Sequence, residues 1–233
     1  MAVTLSVITA LGLSMTGGTG VSSLPSVAGG ASAPDSTAPD TRFVLVANSE
    51  ESAAATAKRL SEALDAAFRK EAPGAKWIFE PSGPHETGPD GQPPKLLYKG
   101  AKDAPKSLEM FAGDGGVLNR GRKGHLHLGI FPGKGVSDDP ANQDGSVTCS
   151  PTAQECKEGT APNGAKTTLL TISDDGGVGE YVAAVGLPDG RILKIANTKA
   201  FGVEGAGAAQ DGPPLTSDQV MGIAINVASQ IKA

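Results

Sequence analysis

Four side chains in this sequence are of a type and spacing that can do chemistry. His125 and His127 stand two residues apart in GHLHLGIF, Gly124 to Phe131. Cys149 and Cys156 stand close together in TCSPTAQECK. On an extended strand alternate side chains share a face, so the two imidazoles can present two nitrogens to one cation. A metal site on such a strand needs a third ligand from elsewhere. The one other histidine, His85, lies in the distant loop-like stretch PSGPHETGPDGQPP, although carboxylates are available. The same alternation places Leu126, Leu128 and Ile130 on the opposite face, which is the pattern of an antiparallel strand with one wet side. The sequence alone therefore favours a polar strand face, and His125 and His127 are kept as candidate metal ligands.

The two cysteines can close a small ring. A zinc site built on them would need a second pair of ligands, and a redox pair would prefer C-x-x-C. A structural disulfide between Cys149 and Cys156 is expected, stabilising by about 2–3 kcal/mol through loop closure. That expectation depends on an oxidising compartment. No G-x-S-x-G elbow, Walker loop or H-E-x-x-H is present. ANQDGS, Ala141 to Ser146, carries Asn142, Asp144 and Gly145 in the manner of a calcium loop, but Pro140 and Pro151 stand where the first and last ligands belong. Asp138–Asp139 and Asp174–Asp175 fall in turn-like sequence, where neighbouring carboxylates face water. No catalytic residue and no cofactor is assigned.

The elements that must position these groups follow from composition and periodicity. Aromatic residues are only 4% of the chain, so the core has to be aliphatic. The net charge of −5 argues against nucleic acid as a partner. The one dense basic stretch, Arg120 to Lys123, reads as a solvated turn. RFVLVAN (42–48) reads as a strand. A helix follows, with Ala53, Ala57, Leu60, Leu64, Ala67 and Phe68 forming one stripe, Asn48 and Glu51 as a capping box, and Ala-Pro-Gly at 72–74 as its stop. KWIFEP returns as a strand, which gives a β-α-β opening. Residues 81–100 read as loop, SLEMFAG as a strand turned by Asp114-Gly115-Gly116, and the histidine strand comes next. Three strands follow the cysteine loop: AKTTLLTIS, EYVAAVGL and RILKIAN, the last two joined by a Pro188-Asp189-Gly190 turn. The final helix has Thr216 and Gln219 as a capping box and an apolar stripe through Val220, Ile223, Ala224, Val227, Ala228 and Ile231. The expected fold class is α+β: an antiparallel-rich sheet of about five or six strands, with two main helices and the C-terminal one packed on the sheet.

MAVTLSVITALGLSM at the start is apolar, too short for the roughly 20 residues that span a bilayer, and of the length of a signal-peptide core. No Lys or Arg precedes Arg42. The expected organisation is a truncated signal peptide or membrane anchor at 1–16, a flexible linker at 17–41, and a single extracytoplasmic α+β domain at 42–233.

The last hundred residues resemble a loose group of exported or membrane-anchored actinobacterial proteins of unknown function. The resemblance rests on the short cysteine loop, the Leu187–Arg191 LPDGR hairpin, a strand ending near Asn197, and PPLT (213–216) leading into the last helix. It covers less than half of the chain and its motifs are structural. It implies an extracytoplasmic domain, secreted or anchored, that touches the membrane only through its N-terminal segment. The function expected first is a non-catalytic cell-envelope module that senses or binds a small ligand or an envelope protein. The alternatives are a secreted hydrolase using carboxylates and a metal-binding protein using the strand histidines.

Overall fold

The computed structural model describes residues 40–83, 85–99, 110–132, 148–149, 155–202 and 211–233, all within a compact unit spanning Asp40–Ala233. The expected leader, most of the expected linker, ANQDGS and Asp138–Asp139 lie outside the described residues.

The fold is α+β. Its strands are β1 (Phe43–Val44), β2 (Lys76–Ile78), β3 (Leu97–Tyr98), β4 (Phe111–Asn119), β5 (Arg122–Phe131), β6 (Glu155–Thr160), β7 (Lys166–Asp174), β8 (Gly177–Gly186), β9 (Ile192–Thr198) and β10 (Ile231–Lys232). The helices are α1 (Glu50–Glu71) and α2 (Ser217–Ser229). Eight strands form one sheet in the order β2-β4-β5-β9-β8-β7-β6, with β3 also paired to β4, and every pairing in it is antiparallel. β1 and β10 form a separate parallel pair, Phe43 opposite Ile231. The opening β-α-β is thus not a pair of parallel neighbours, because β1 joins the chain's last strand and β2 joins the main sheet.

Both helices bury the stripes their sequences specify, except that Ile231, expected at the end of the last helix, falls on β10 instead. On α1 the buried residues are Ala53, Thr56, Ala57, Leu60, Leu64, Ala67 and Phe68; on α2 they are Val220, Ile223, Ala224, Val227 and Ala228. These meet Val117, Leu126, Leu128, Ile130, Ala183, Val185, Leu193 and Ile195 from one face of the sheet in a single core. Burial of each large aliphatic side chain there stabilises by roughly 1.5–3 kcal/mol. Trp77 stacks on Phe68 at 4.0 Å between ring centroids and donates its indole N–H to Asp65 at 2.9 Å, so this aromatic pair anchors β2 to α1. Thr216 and Gln219 cap α2 reciprocally, as expected. The α1 cap falls one residue later than expected: Ser49 and Ser52 form the box instead of Asn48 and Glu51. Serine hydroxyls outcompete the longer glutamate there, and Glu50 and Glu51 serve the first turn through the helix dipole.

The approach of α2 to the sheet is fixed by buried amides. Asn197, fully buried, donates to the carbonyl of His125 at 2.9 Å and accepts from the amide of Leu215 at 3.0 Å. Asn119 donates to the carbonyl of Pro214 at 2.9 Å. The LPDGR hairpin is a latch. Gly190 takes a positive φ of 84°, Asp189 receives the amide of Arg191, and the Arg191 guanidinium donates to the Leu45 carbonyl at 2.9 Å.

Residues 81–100 are not all loop, since Leu97–Tyr98 form β3 beside β4, and two further readings of the sequence need correction. Asp114-Gly115-Gly116 is not a turn but the middle of β4. Its glycines answer to close approach: a Cβ on Gly116 would lie 2.8 Å from the Ile78 carbonyl oxygen, and one on Gly115 would lie 3.2 Å from the Pro94 ring. The real turn is Arg120-Gly121, both at positive φ (50° and 81°), the geometry that closes a two-residue hairpin. Arg122 and Lys123 of the basic stretch already belong to β5. The cysteine loop, secondly, contains a strand. β6 is an edge strand with mostly exposed side chains, so it carries no apolar alternation to announce it.

Candidate metal centre

β5 is central in the sheet, between β4 and β9. Its alternation is as expected: Leu126, Leu128 and Ile130 are fully buried against the helices, whereas His125 and His127 project from the opposite face. The register then selects their neighbours. His127 pairs with Asp114 of β4 and Ala196 of β9, and His125 pairs with Gly116 and Thr198. One strand further on, Glu180 of β8 lies opposite Thr198, in the same row as His125.

The result is a compact cluster. One carboxylate oxygen of Asp114, Oδ1, lies 3.1 Å from His125 Nε2 and 2.5 Å from His127 Nδ1. The ligand atoms that Asp114, His125 and His127 can offer all lie within 4.8 Å of one another. The other nitrogen of His125, Nδ1, lies 2.7 Å from Glu80 Oε2. Glu80 follows β2 and is held in turn, because its Oε1 accepts from the amide of Gly202 at 3.2 Å. The imidazoles are mostly covered, with 25% and 21% of their side-chain surfaces exposed, while half of the Asp114 side chain faces solvent.

Three carboxylates, Glu80, Asp114 and Glu180, thus surround two imidazoles. The electrostatics follow. Hydrogen bonds to Asp114 first and Glu80 second raise the His125 pKa to about 9 against the opposing effect of burial. The same contacts, from His125 and then His127, hold the Asp114 carboxyl far below the usual carboxylate range. Burial pushes the Glu180 carboxyl up, against the attraction of both histidines. Without a cation the cluster holds protons between carboxylates and imidazoles. A bound cation would displace those protons, and Asp114, His125 and His127 would be the residues to hold it.

The remaining sequence candidates separate cleanly. His85 is an exposed loop residue with a positive φ of 72°, and it takes no part in the cluster. Asp174 pairs with Lys199 at 2.7 Å. Cys149 and Cys156 are joined in a disulfide, Cα to Cα 5.7 Å, with Cys156 on β6. Sequence reasoning missed Asp114 and Glu80. Asp114 was hidden by its glycine neighbours, which imitate a turn. An alternating reading of FAGDGGVLN, with Phe111 and Val117 on one face, would have set Asp114 on the other. Nothing local signals Glu80; only the tertiary path of the chain after β2 brings it to His125. No protein-family model matches the chain, nor does any curated protein or solved structure.

Proposed function

We propose that this protein binds a divalent transition-metal ion on the open face of its sheet, through Asp114 Oδ1, His125 Nε2 and His127 Nδ1. The observation that carries the reading is the convergence of two imidazole nitrogens from one strand on a single carboxylate oxygen from the next. Imidazole with carboxylate suits zinc and its first-row neighbours, and two histidines from one face of a rigid central strand are already aligned. Three protein ligands leave coordination positions open, and the exposed side of Asp114 directs them to solvent. The ion is therefore accessible to a further small ligand.

The wider role we attach to this site is that of a non-catalytic extracytoplasmic module whose ligand includes the cation. The Cys149–Cys156 disulfide supports that location, since such bonds persist in oxidising compartments. Zinc or copper titrated calorimetrically into chelator-stripped protein is expected to bind one ion per chain, with binding lost in Asp114→Asn and His127→Ala. Affinity weaker than millimolar in the unsubstituted chain, or unchanged affinity in both variants, would end the reading.

A further inference from the structure

The contacts of His125 differ on the two sides of its ring. Nε2 faces Asp114 and the convergence point, whereas Nδ1 faces Glu80, and the two nitrogens point away from each other across the imidazole. A cation at the convergence point cannot also reach Glu80 through that ring. Glu80 is well placed for a different task. At 2.7 Å its carboxylate accepts the Nδ1–H of His125, which leaves the lone pair of the neutral ring on Nε2, where the cation sits. Its second oxygen is fixed by the Gly202 amide, and only 20% of its side chain is exposed, so the acceptor is itself held in place.

We infer that Glu80 is the positioning residue of the metal centre: it selects the Nε2-ligating tautomer of His125 and locks the ring's orientation, without touching the ion. A carboxylate behind a ligating imidazole raises the ring's basicity as well as aiming it, and loss of such a partner commonly weakens metal binding about 10–100-fold. The inference rests on the metal reading above and adds an assignment to it. Glu80 also joins the segment after β2 to the segment after β9. Phe201 lies beside the same place, since a Cβ on Gly116 would approach its ring to 2.9 Å. The orienting group thus belongs to the wall of the site and not to its floor.

The test uses the full chain, stripped of metal, with zinc as the probe. Glu80→Ala is expected to weaken zinc binding about 10–100-fold. Glu80→Gln keeps an oxygen that accepts the Nδ1–H and is expected to restore most of that loss. A carboxylate acting only as a structural ion-pair partner would instead make both variants equally poor. Nitrogen-15 shifts of the His125 ring in the zinc-loaded, unsubstituted protein give a second measure that needs no variant. A protonated Nδ1 with a metal-bound Nε2 supports the assignment, and the reverse overturns it. Zinc binding that is tight in the unsubstituted chain and unchanged in Glu80→Ala overturns the role of Glu80 and leaves the metal site standing. Absence of zinc binding in the unsubstituted chain overturns both.

Discussion

Leu126 and Leu128 lie on one side of β5, and His125 and His127 lie on the other, a single residue apart along the strand. The core side is a matter of area and volume: aliphatic side chains from four central strands meet two helices, and any group of similar shape fits. The open side is a matter of identity. Asp114, His125 and His127 meet through single atoms, and no isostere reproduces a lone pair aimed at a common point. β5 thus serves two ends at once. The packed face holds the strand rigid, and the open face uses that rigidity to keep two nitrogens in register.

Substitutions on the two faces should therefore separate stability from binding. Leu128→Ala, at a fully buried position, is expected to lower unfolding free energy by about 2–5 kcal/mol, read by urea denaturation, with zinc affinity in the folded fraction within a few-fold of normal. If zinc affinity falls as steeply as stability, the two faces are not independent. His127→Ala is the mirror case. Zinc affinity should fall at least about 100-fold, the equivalent of roughly 3 kcal/mol, while the metal-free chain keeps its melting temperature to within a few degrees. A collapse of that melting temperature would make the cluster structural.

Smaller effects test the edges of the contrast. Replacing both cysteines with serine should cost about 2–3 kcal/mol by the loop-closure argument and leave zinc binding intact, because Cys156 sits on β6 at the far edge of the sheet. Equal zinc affinity in oxidised and reduced protein would check the second half. The smallest effect is a pH dependence. His125 is bound more tightly to its proton in the folded chain, so its contribution to metal-free stability is complete below about pH 6.5 and is lost as pH rises through about 9. The loss should be on the order of 1–2 kcal/mol, since the partner Asp114 is half exposed and screened. Urea midpoints at pH 6 and pH 10 measure it, and the difference should shrink in His125→Ala. Zinc affinity should move the opposite way, strengthening as pH rises through the same range, because the ion displaces that proton.

The sequence is most readable where the chain answers to local rules. Both helical stripes, the Thr216–Gln219 cap and the Pro188-Asp189-Gly190 hairpin are written in neighbours three to four residues apart. The alternation of β5 was equally plain. What escaped depends on distant partners. β6 is polar because it is an edge. Gly115 and Gly116 look like turn residues because the chain that crowds them is far away in sequence. Glu80 meets His125 only once β2 has docked beside β4. The candidate site is thus half visible: its two nitrogens are set out by strand periodicity, whereas its oxygens are supplied by register and by a neighbouring segment.

The parallel pairing of β1 with β10 has a practical corollary. Phe43 and Ile231 sit side by side, and Lys232 Nζ lies 3.6 Å from Asp40 Oδ2, so the first and last segments of the folded unit are neighbours. A short glycine bridge could close them into a ring, or new ends could be opened at the exposed Asp175-Gly176 turn, with the sheet undisturbed. By the same geometry the unit can be spliced into a surface loop of a host protein, carrying its candidate ion site as a self-contained cassette.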